Sequence, residues 1–440
     1  MGLTDNADEQ VVATARRAAS ARAAAAPGAP APGAATLPLE VVVLGDWLPF
    51  PRGMAATSRA RLVARALRSA GIHSRVVTMQ AADRPTQVEN TAVRGEYQGV
   101  PFEYTCGTTV RHDSFLARRL IATWGWLHGA ARLVRLRREG RLDAVCLWLW
   151  TPRPAVRLAF FLALLRRLGV PVVREIDEIP WAYARDRNLL ARLWSPVDGM
   201  AGVIAISAEL RDWAARQAHG RRRDLRVIEV PILVDLDERA PAPYPTSDPL
   251  VVFAGAPGYE STIRFVFAAM EEVWRTHPEC RLAVTGAQPG DPRSDWLRDE
   301  VAEAGLGDRV DLVGYVTREE LLDLYARAHA LLIPLFYDPR SQARFPTKIG
   351  EYLAAARPVV TSDVGEILRF FSDGVDALVR PAGEPVAFGR AVVELLDDPA
   401  RAALIGQRGR ELAERRFDYA LYAEPLADLF AAVCGREARR

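Results

Sequence analysis

No stretch of this sequence is long and apolar enough to cross a bilayer. The best candidate, "LAFFLALL" from Leu158 to Leu165, falls far short of the roughly 20 residues that a spanning helix needs. The opening "MGLTDNADEQ" has no basic region running into an apolar one, so it does not read as a secretory signal. Cysteine is scarce. Cys106, Cys146, Cys280 and Cys434 lie far apart and form no CxxC pair, which excludes a disulfide framework and points to reduced thiols in the cytoplasm. A net charge of only +2 lacks the concentrated positive field of a general nucleic-acid binder, so no nucleic-acid partner is expected. The six histidines are scattered, and no HExxH, GxSxG or Walker pattern occurs. No metal site is expected.

What the chain does have is two series of buried strands alternating with helices. Residues 1–38 are rich in Ala, Pro and Gly and are expected to be a disordered tail. From Glu40 the strands "EVVVLG", "SRVVTM", "DAVCLWLW", "VPVVREI" and "GVIAIS" alternate with amphipathic segments, which predicts a first Rossmann-like domain over 39–235. "DLDERAPAPYPTSDP" (Asp235 to Pro249) breaks the pattern with proline and charge, so 236–249 reads as a linker. "LVVFAG", "CRLAVTG", "RVDLVG", "ALLIPL" and "PVVTS" then restart it, giving a second domain over 250–418. The last helix, 419–440, is expected to pack back across the junction. The fold class is therefore α/β, two doubly wound domains, with ligand expected at the carboxyl ends of the strands, in the cleft between them.

The most chemically pointed stretch is "RFPTKIGEYLAAARPVVTSDVGE" (Arg344 to Glu366). Pro346 suits the first helical position, where its missing N–H costs nothing. The free N–H groups after it form an anion site to which Lys348 adds a point charge. Ile349 and Leu353 are four apart and face the core, leaving Lys348 and Glu351 together on another face. A carboxylate there can accept bonds from two adjacent hydroxyls, as on a ribose. The same spacing also fits a solvated Lys–Glu pair worth a few tenths of a kcal/mol; spacing alone leaves both open.

That stretch, from "FPTKIGEYLAAARPVV" onward, resembles the donor-binding signature of family 4 of the glycosyltransferases, retaining enzymes of the GT-B fold. "LPFPRGMAATSRARLVARALRSAGIHSRVVT", "VVREIDEIPW", "AGVIAISAELRDW", "RVDLVGYVTREELLDLYARAHALLIPL" and "DDPARAALIGQRGRELAERRFDY" resemble further family segments in the family's order. The resemblance implies that Glu351 takes the ribose hydroxyls of a nucleotide sugar. The backbone of Phe345, Pro346, Thr347 and Lys348 would face the diphosphate or the sugar. Gly53 would let the first loop approach the diphosphate, Gly314, Tyr315 and Val316 would line the base pocket, and Gly365 and Glu366 would close the sugar end. For Gly53 and Gly314 taken alone, ordinary turn chemistry is the alternative.

The departures from the family matter too. The first of its two glutamates falls on Ala343, and Glu260 and Ser261 stand where its usual lysine would be. Arg344, Lys348 or Arg264 must then neutralise the phosphates. Ala356 occupies a position where glycine is commoner. The family's acceptor-domain histidine is replaced at Asp177, so no catalytic residue is assigned; Asp177 and Glu178 are the nearest candidates.

The basic, Trp-containing segment 111–141 reads as a helix whose Leu and Trp face the core and whose arginines are solvated. A peripheral contact with an anionic membrane at the inner face is the alternative. Together these readings imply a cytoplasmic, hexosyltransferase-like enzyme that moves a sugar from a nucleotide diphosphate to a hydroxyl acceptor: a glycan, a lipid-linked acceptor or a small molecule. The nucleotide sugar is a co-substrate and no cofactor is needed. The rival is a catalytically weakened GT-B subunit that binds a nucleotide or a partner glycosyltransferase.

Overall fold

A computed structural model describes residues 38–148, 155–178, 197–220, 224–255, 258–286 and 292–436. The tail expected to be disordered lies outside them, as do parts of "VVREIDEIPW" and "GAPGYESTIRF". Fourteen strands form two sheets among the described residues. The first holds β1 (Glu40–Gly45), β2 (His73–Thr78), β3 (Arg94–Tyr97), β4 (Val100–Tyr104), β5 (Ala144–Trp148), β6 (Val172–Ile176), β7 (Gly202–Ala205) and β8 (Arg226–Glu229), in the order 3-4-2-1-5-6-7-8. The second holds β9 (Leu250–Phe253), β10 (Arg281–Thr285), β11 (Val310–Gly314), β12 (Ala330–Ile333), β13 (Val359–Ser362) and β14 (Leu378–Arg380), in the order 11-10-9-12-13-14. The second sheet is parallel throughout. The first carries one antiparallel edge strand, β3 on β4.

The helices are α1 (Ala55–Ser69), α2 (Phe115–Arg138), α3 (Ala155–Arg167), α4 (Ala208–Gly220), α5 (Glu260–Thr276), α6 (Pro292–Glu303) and α7 (Arg318–Arg327). They continue as α8 (Pro339–Ala343), α9 (Lys348–Ala354), α10 (Ile367–Phe370), α11 (Pro385–Asp397), α12 (Pro399–Arg416) and α13 (Ala423–Val433). None of the described helices is long and apolar enough to cross a membrane. The chain groups into two compact units: Met1–Arg174 with Gly199–Gly202 and Asp418–Arg440, and Glu175–Asp198 with Val203–Phe417.

In the first unit, β1 is buried from Val41 to Gly45 and pairs in parallel with β2 and β5. Continuous apolar runs are what a strand covered on both faces requires. The C-terminal residues belong to this unit: α13 packs on α1, and Arg65 lies 4.4 Å over the ring of Tyr419 while donating to its hydroxyl at 2.9 Å. α2 corrects the core-facing reading of its segment. Leu133 and Leu136 are buried, but Leu116, Leu120, Trp124 and Leu127 are exposed.

In the second unit, one core joins Val203, Ala205, Ile232 and Val234 to Val252, Leu331, Ile349, Tyr352 and Phe417. A second core lies among α5, α11 and the strands, around Ile263, Val266, Val284 and Phe388. Arg357, 1% exposed, is held by backbone carbonyls: it donates to Ala242 at 3.2 Å, to Pro243 at 2.8 Å and to Ala326 at 3.1 Å. A buried guanidinium is tolerated because acceptors meet its donors. It ties the proline-rich segment after β8 to the second sheet's helices.

Just before Arg357, Ala356 follows the end of α9 with φ +53°, a left-handed conformation that costs a residue with a Cβ roughly 1–2 kcal/mol. Replacing Ala356 with glycine relieves that strain, against some added freedom in the unfolded chain. Ala356→Gly is expected to raise stability by roughly 0.5–1 kcal/mol in urea unfolding. An unchanged or lower midpoint would contradict it.

Candidate functional site

The signature segment leads into α9, a seven-residue helix, at the carboxyl end of β9. Its start differs from expectation. Thr347, in helical conformation, is the N-cap, so Pro346 lies one residue outside the helix rather than at its first position. Ile349, Gly350, Tyr352 and Leu353 are buried, as the apolar spacing requires.

Lys348 and Glu351, although three apart on one helix, reach different partners. The Lys348 ammonium turns inward and donates to the Ala254 carbonyl just after β9. Burial pushes its pKa down to about 8; the nearby Glu351 charge works against that shift and Arg344 adds to it. Glu351 Oε1 accepts from Arg318 Nη1 at 2.6 Å. Arg318 also forks onto Glu238, Nε to Oε1 at 3.0 Å and Nη2 to Oε2 at 2.8 Å. Burial alone would lower the Arg318 pKa, but the two carboxylates outweigh it and hold the pKa above its ordinary value. The solvated Lys–Glu pair is therefore not what the structure contains.

α7 delivers Arg318 as its first residue. The Thr317 hydroxyl caps the Glu320 N–H at 3.3 Å, and Glu320 returns a bond to the Thr317 N–H at 2.7 Å, a reciprocal cap that fixes where the helix starts. Immediately before it, Gly314 ends β11 with φ +75° and Tyr315 is exposed. A pocket beside the charge network is lined by Asp235, Glu238, Arg318, Leu322, Glu351 and Ala354, among others.

The signature's remaining residues are placed as follows. Phe345 is 2% exposed and stacks on Phe370, with ring centroids 5.4 Å apart, so its side chain is core and only its backbone is left for ligand. Arg344 lies 5.7 Å over the Tyr259 ring, and its Nε is buried without a hydrogen-bond partner. Ala343, where the family's first glutamate would fall, is buried, and its carbonyl accepts from Ser207 Oγ. Gly365 has φ +58°, and a Cβ there would come within 2.8 Å of the Gln342 carbonyl, so only glycine fits the loop after β13. The buried Glu366 carboxylate accepts from the Ala208 N–H at 3.0 Å, at the start of α4, and from Arg369; burial pushes its pKa up.

Arg264, Gly53, Glu178 and Asp177 lie outside the signature segment. Arg264 is on α5, where it pairs with Glu260 at 3.1 Å and with Glu300. Gly53 lies in the first unit. A Cβ there would sit 2.5 Å from Thr57 Oγ1 and 2.8 Å from Pro49 Cγ, so the loop itself needs the glycine. Glu178 is forked by Arg340, at 2.5 and 3.1 Å, and lies 4.0 Å from Arg344 Nη1, while Asp177 is half-buried just past β6. Arg318, Glu238 and Arg340 were not foreseen. The only local hint was the Thr-x-x-Glu cap before α7 and the Asp338–Pro339 cap that starts α8.

Residues 248–398, which contain this group apart from Glu238, match the family model of group 1 glycosyl transferases. The chain is 24% identical over 320 residues to an alpha-D-kanosaminyltransferase of Streptomyces kanamyceticus, covering 68% of this chain and 79% of that protein. Among solved structures, sucrose-phosphate synthase of Thermosynechococcus elongatus superposes with a TM-score of 0.67 at 18% identity, covering 90% of this chain and 99% of the other. HepE of Anabaena, in complex with UDP and glucose, superposes with a TM-score of 0.60 at 16% identity, with 90% and 99% covered. The fold is that of the GT-B glycosyltransferases, two parallel-sheet α/β domains.

The depressed Lys348 pKa has a measurable consequence. Between about pH 8 and the ordinary lysine value of 10.5, the unfolded chain holds a proton that the folded one has lost. Stability from this group therefore rises with pH across that window and is flat below it. Lys348→Met removes the titration. Urea unfolding at pH 7.5 and 10 should show wild type gaining on the variant by about 1–3 kcal/mol at the higher pH. Equal gaps at both values would contradict a depressed pKa.

Proposed function

We propose that this chain is a family 4, retaining glycosyltransferase that transfers a sugar from a nucleotide diphosphate to a hydroxyl acceptor in the cytoplasm. One observation carries the reading: a lysine, a paired carboxylate and an arginine with an uncommitted N–H lie on one segment, at the carboxyl ends of a parallel sheet. Open α/β sheets bind ligands at that edge. Lys348 and Arg344 meet the diphosphate charge, and a charged donor is worth more there than in water. Arg318 holds one oxygen of Glu351, and a carboxylate has about four acceptor sites, so capacity remains for the ribose hydroxyls. Gly314 to Val316 receive the base through their backbone, and the Gly365 loop closes the sugar end. By the resemblance, the charge of the departing diphosphate is met by these cations without a metal. The HepE complex with UDP and glucose makes a UDP-sugar the first donor to try.

A second reading, a weakened subunit that still binds nucleotide, is favoured by Ala343 and Glu178: the first lacks a carboxylate and the second is spent on Arg340. Turnover separates the two readings. Calorimetric titration with UDP-, GDP-, ADP- and dTDP-sugars should find one tight diphosphate. Lys348→Ala should weaken that diphosphate by about 1.5–3 kcal/mol and the bare nucleoside far less. Glu351→Gln should weaken both and blunt discrimination against a 2′-deoxyribose. If both variants bind both ligands like wild type, the site is wrong. If the nucleotide binds but no panel acceptor ever receives sugar, the subunit reading prevails.

A further inference from the structure

α2 is built inside out. Along its first half the large apolar residues Leu116, Leu120, Trp124 and Leu127 are 71%, 72%, 56% and 58% exposed. Their spacing of four, four and three puts them in one row. The face turned to the protein carries Ala122, Gly125 and Gly129 instead. This inversion is fixed by close packing. A Cβ on Gly125 would stand 1.9 Å from the Met79 carbonyl, and one on Gly129 would stand 2.9 Å from Met79 Sδ. Thr105 Oγ1 donates to the Gly125 carbonyl at 2.6 Å, and the inward Trp126 donates from Nε1 to Asp46 at 3.2 Å. The helix cannot roll to hide its apolar row without driving Cβ atoms into the end of β2.

The charge on the helix itself has one sign. From Phe115 to Arg138 the helix contains six arginines and no acidic residue. Arg132 is paired with Glu103 at 2.5 Å, and Arg137 is 3.8 Å from Asp143. At 3.6 residues per turn Arg119 flanks the apolar row and Arg135 and Arg138 continue its line toward the C-terminus, all three exposed, whereas Arg118 falls on the opposite side of the helix. Arg111, just before the helix, feels Arg118 and Arg84: burial first, then these like charges, push its pKa down.

We propose that the outward face of α2 seats on an anionic lipid bilayer, Leu116, Leu120, Trp124 and Leu127 entering the acyl boundary and Arg119, Arg135 and Arg138 binding headgroup phosphates. The row spans about 16 Å along the helix, as a helix lying flat in the interface would present it. Tryptophan favours that depth, and arginine stems can lie along it while their heads reach phosphate. A second copy of the chain fits worse, because a two-fold contact through this face would set arginine against arginine.

The experiment uses the full chain and two vesicle types, phosphatidylcholine alone and phosphatidylcholine with phosphatidylglycerol. Wild type should sediment with the anionic vesicles, stay in solution with the neutral ones, and be released by salt. Leu120→Glu with Trp124→Glu should cut the bound fraction by about tenfold or more without lowering the melting temperature, since both sites are already wet. Arg119→Glu with Arg135→Glu, the check should the first pair unfold, should do the same. Equal behaviour on both lipids, or sedimentation unchanged in the arginine pair, overturns the proposal. So does a lipid-free dimer that the Leu120/Trp124 pair dissolves, which would assign the face to a second copy.

Discussion

A guanidinium held between two carboxylates organises the second unit. Arg318 bonds Glu238, from the segment after β8, and Glu351, from α9. One side chain thus fixes three elements that are far apart in sequence. Its three acceptor oxygens leave little of the fork unsatisfied, which is the condition under which a half-buried ion pair costs nothing to keep. Removing either carboxylate would leave the arginine with half a partner. The same residue sets how Glu351 can act: one oxygen is fixed, so the carboxylate is already aimed when a ligand arrives. Preorganisation of that sort is where binding energy is gained rather than spent.

Lys348 complements it by the opposite route. Its ammonium has no carboxylate bonded to it, only the Ala254 carbonyl, and burial makes the charge uncomfortable. A diphosphate at the same spot would supply the missing counter-charge and raise the lysine pKa again. On the proposed reading Lys348 is a cation whose stabilisation would depend on the ligand, beside a carboxylate, Glu351, that Arg318 already holds. Arg344 also has a buried Nε lacking a hydrogen-bond partner, but its Nη1 lies 4.0 Å from the Glu178 carboxylate. Both residues flank Phe345, which is anchored by Phe370 and Phe417; the aromatic cluster holds the backbone that carries the two cations.

Much of this fold is legible in the sequence, for a physical reason. Strands covered on both faces must be apolar throughout, so "EVVVLG", "DAVCLW" and "PVVTS" stand out, as do the helices between them. What was missed lies at sheet edges: the β3–β4 hairpin, "RGEYQGVPFEY", turns at Gln98 and Gly99, both with positive φ, and carries the charge of an edge strand rather than a core run. β8 and β14 are short for the same reason. In the site, Lys348 and Glu351 were readable from local pattern, whereas Gly365 followed only from the family resemblance. Arg318 and Glu238 were not, because the bonds that join Arg318 to Glu238 and to Glu351 span 80 and 33 residues. The inversion of α2 was equally invisible: whether glycine or leucine faces inward depends on Met79, a neighbour no helical period can name.

The central claim is that one nucleoside diphosphate touches Lys348 and Glu351 together. A crystal structure of the chain soaked with the diphosphate that binds tightest tests it most directly. The account predicts the ribose hydroxyls within hydrogen-bonding distance of Glu351, which still accepts from Arg318, with a phosphate oxygen in place of the Ala254 carbonyl on Lys348. Nucleotide density elsewhere, with the Lys348–Ala254 and Arg318–Glu351 bonds unchanged, would contradict it.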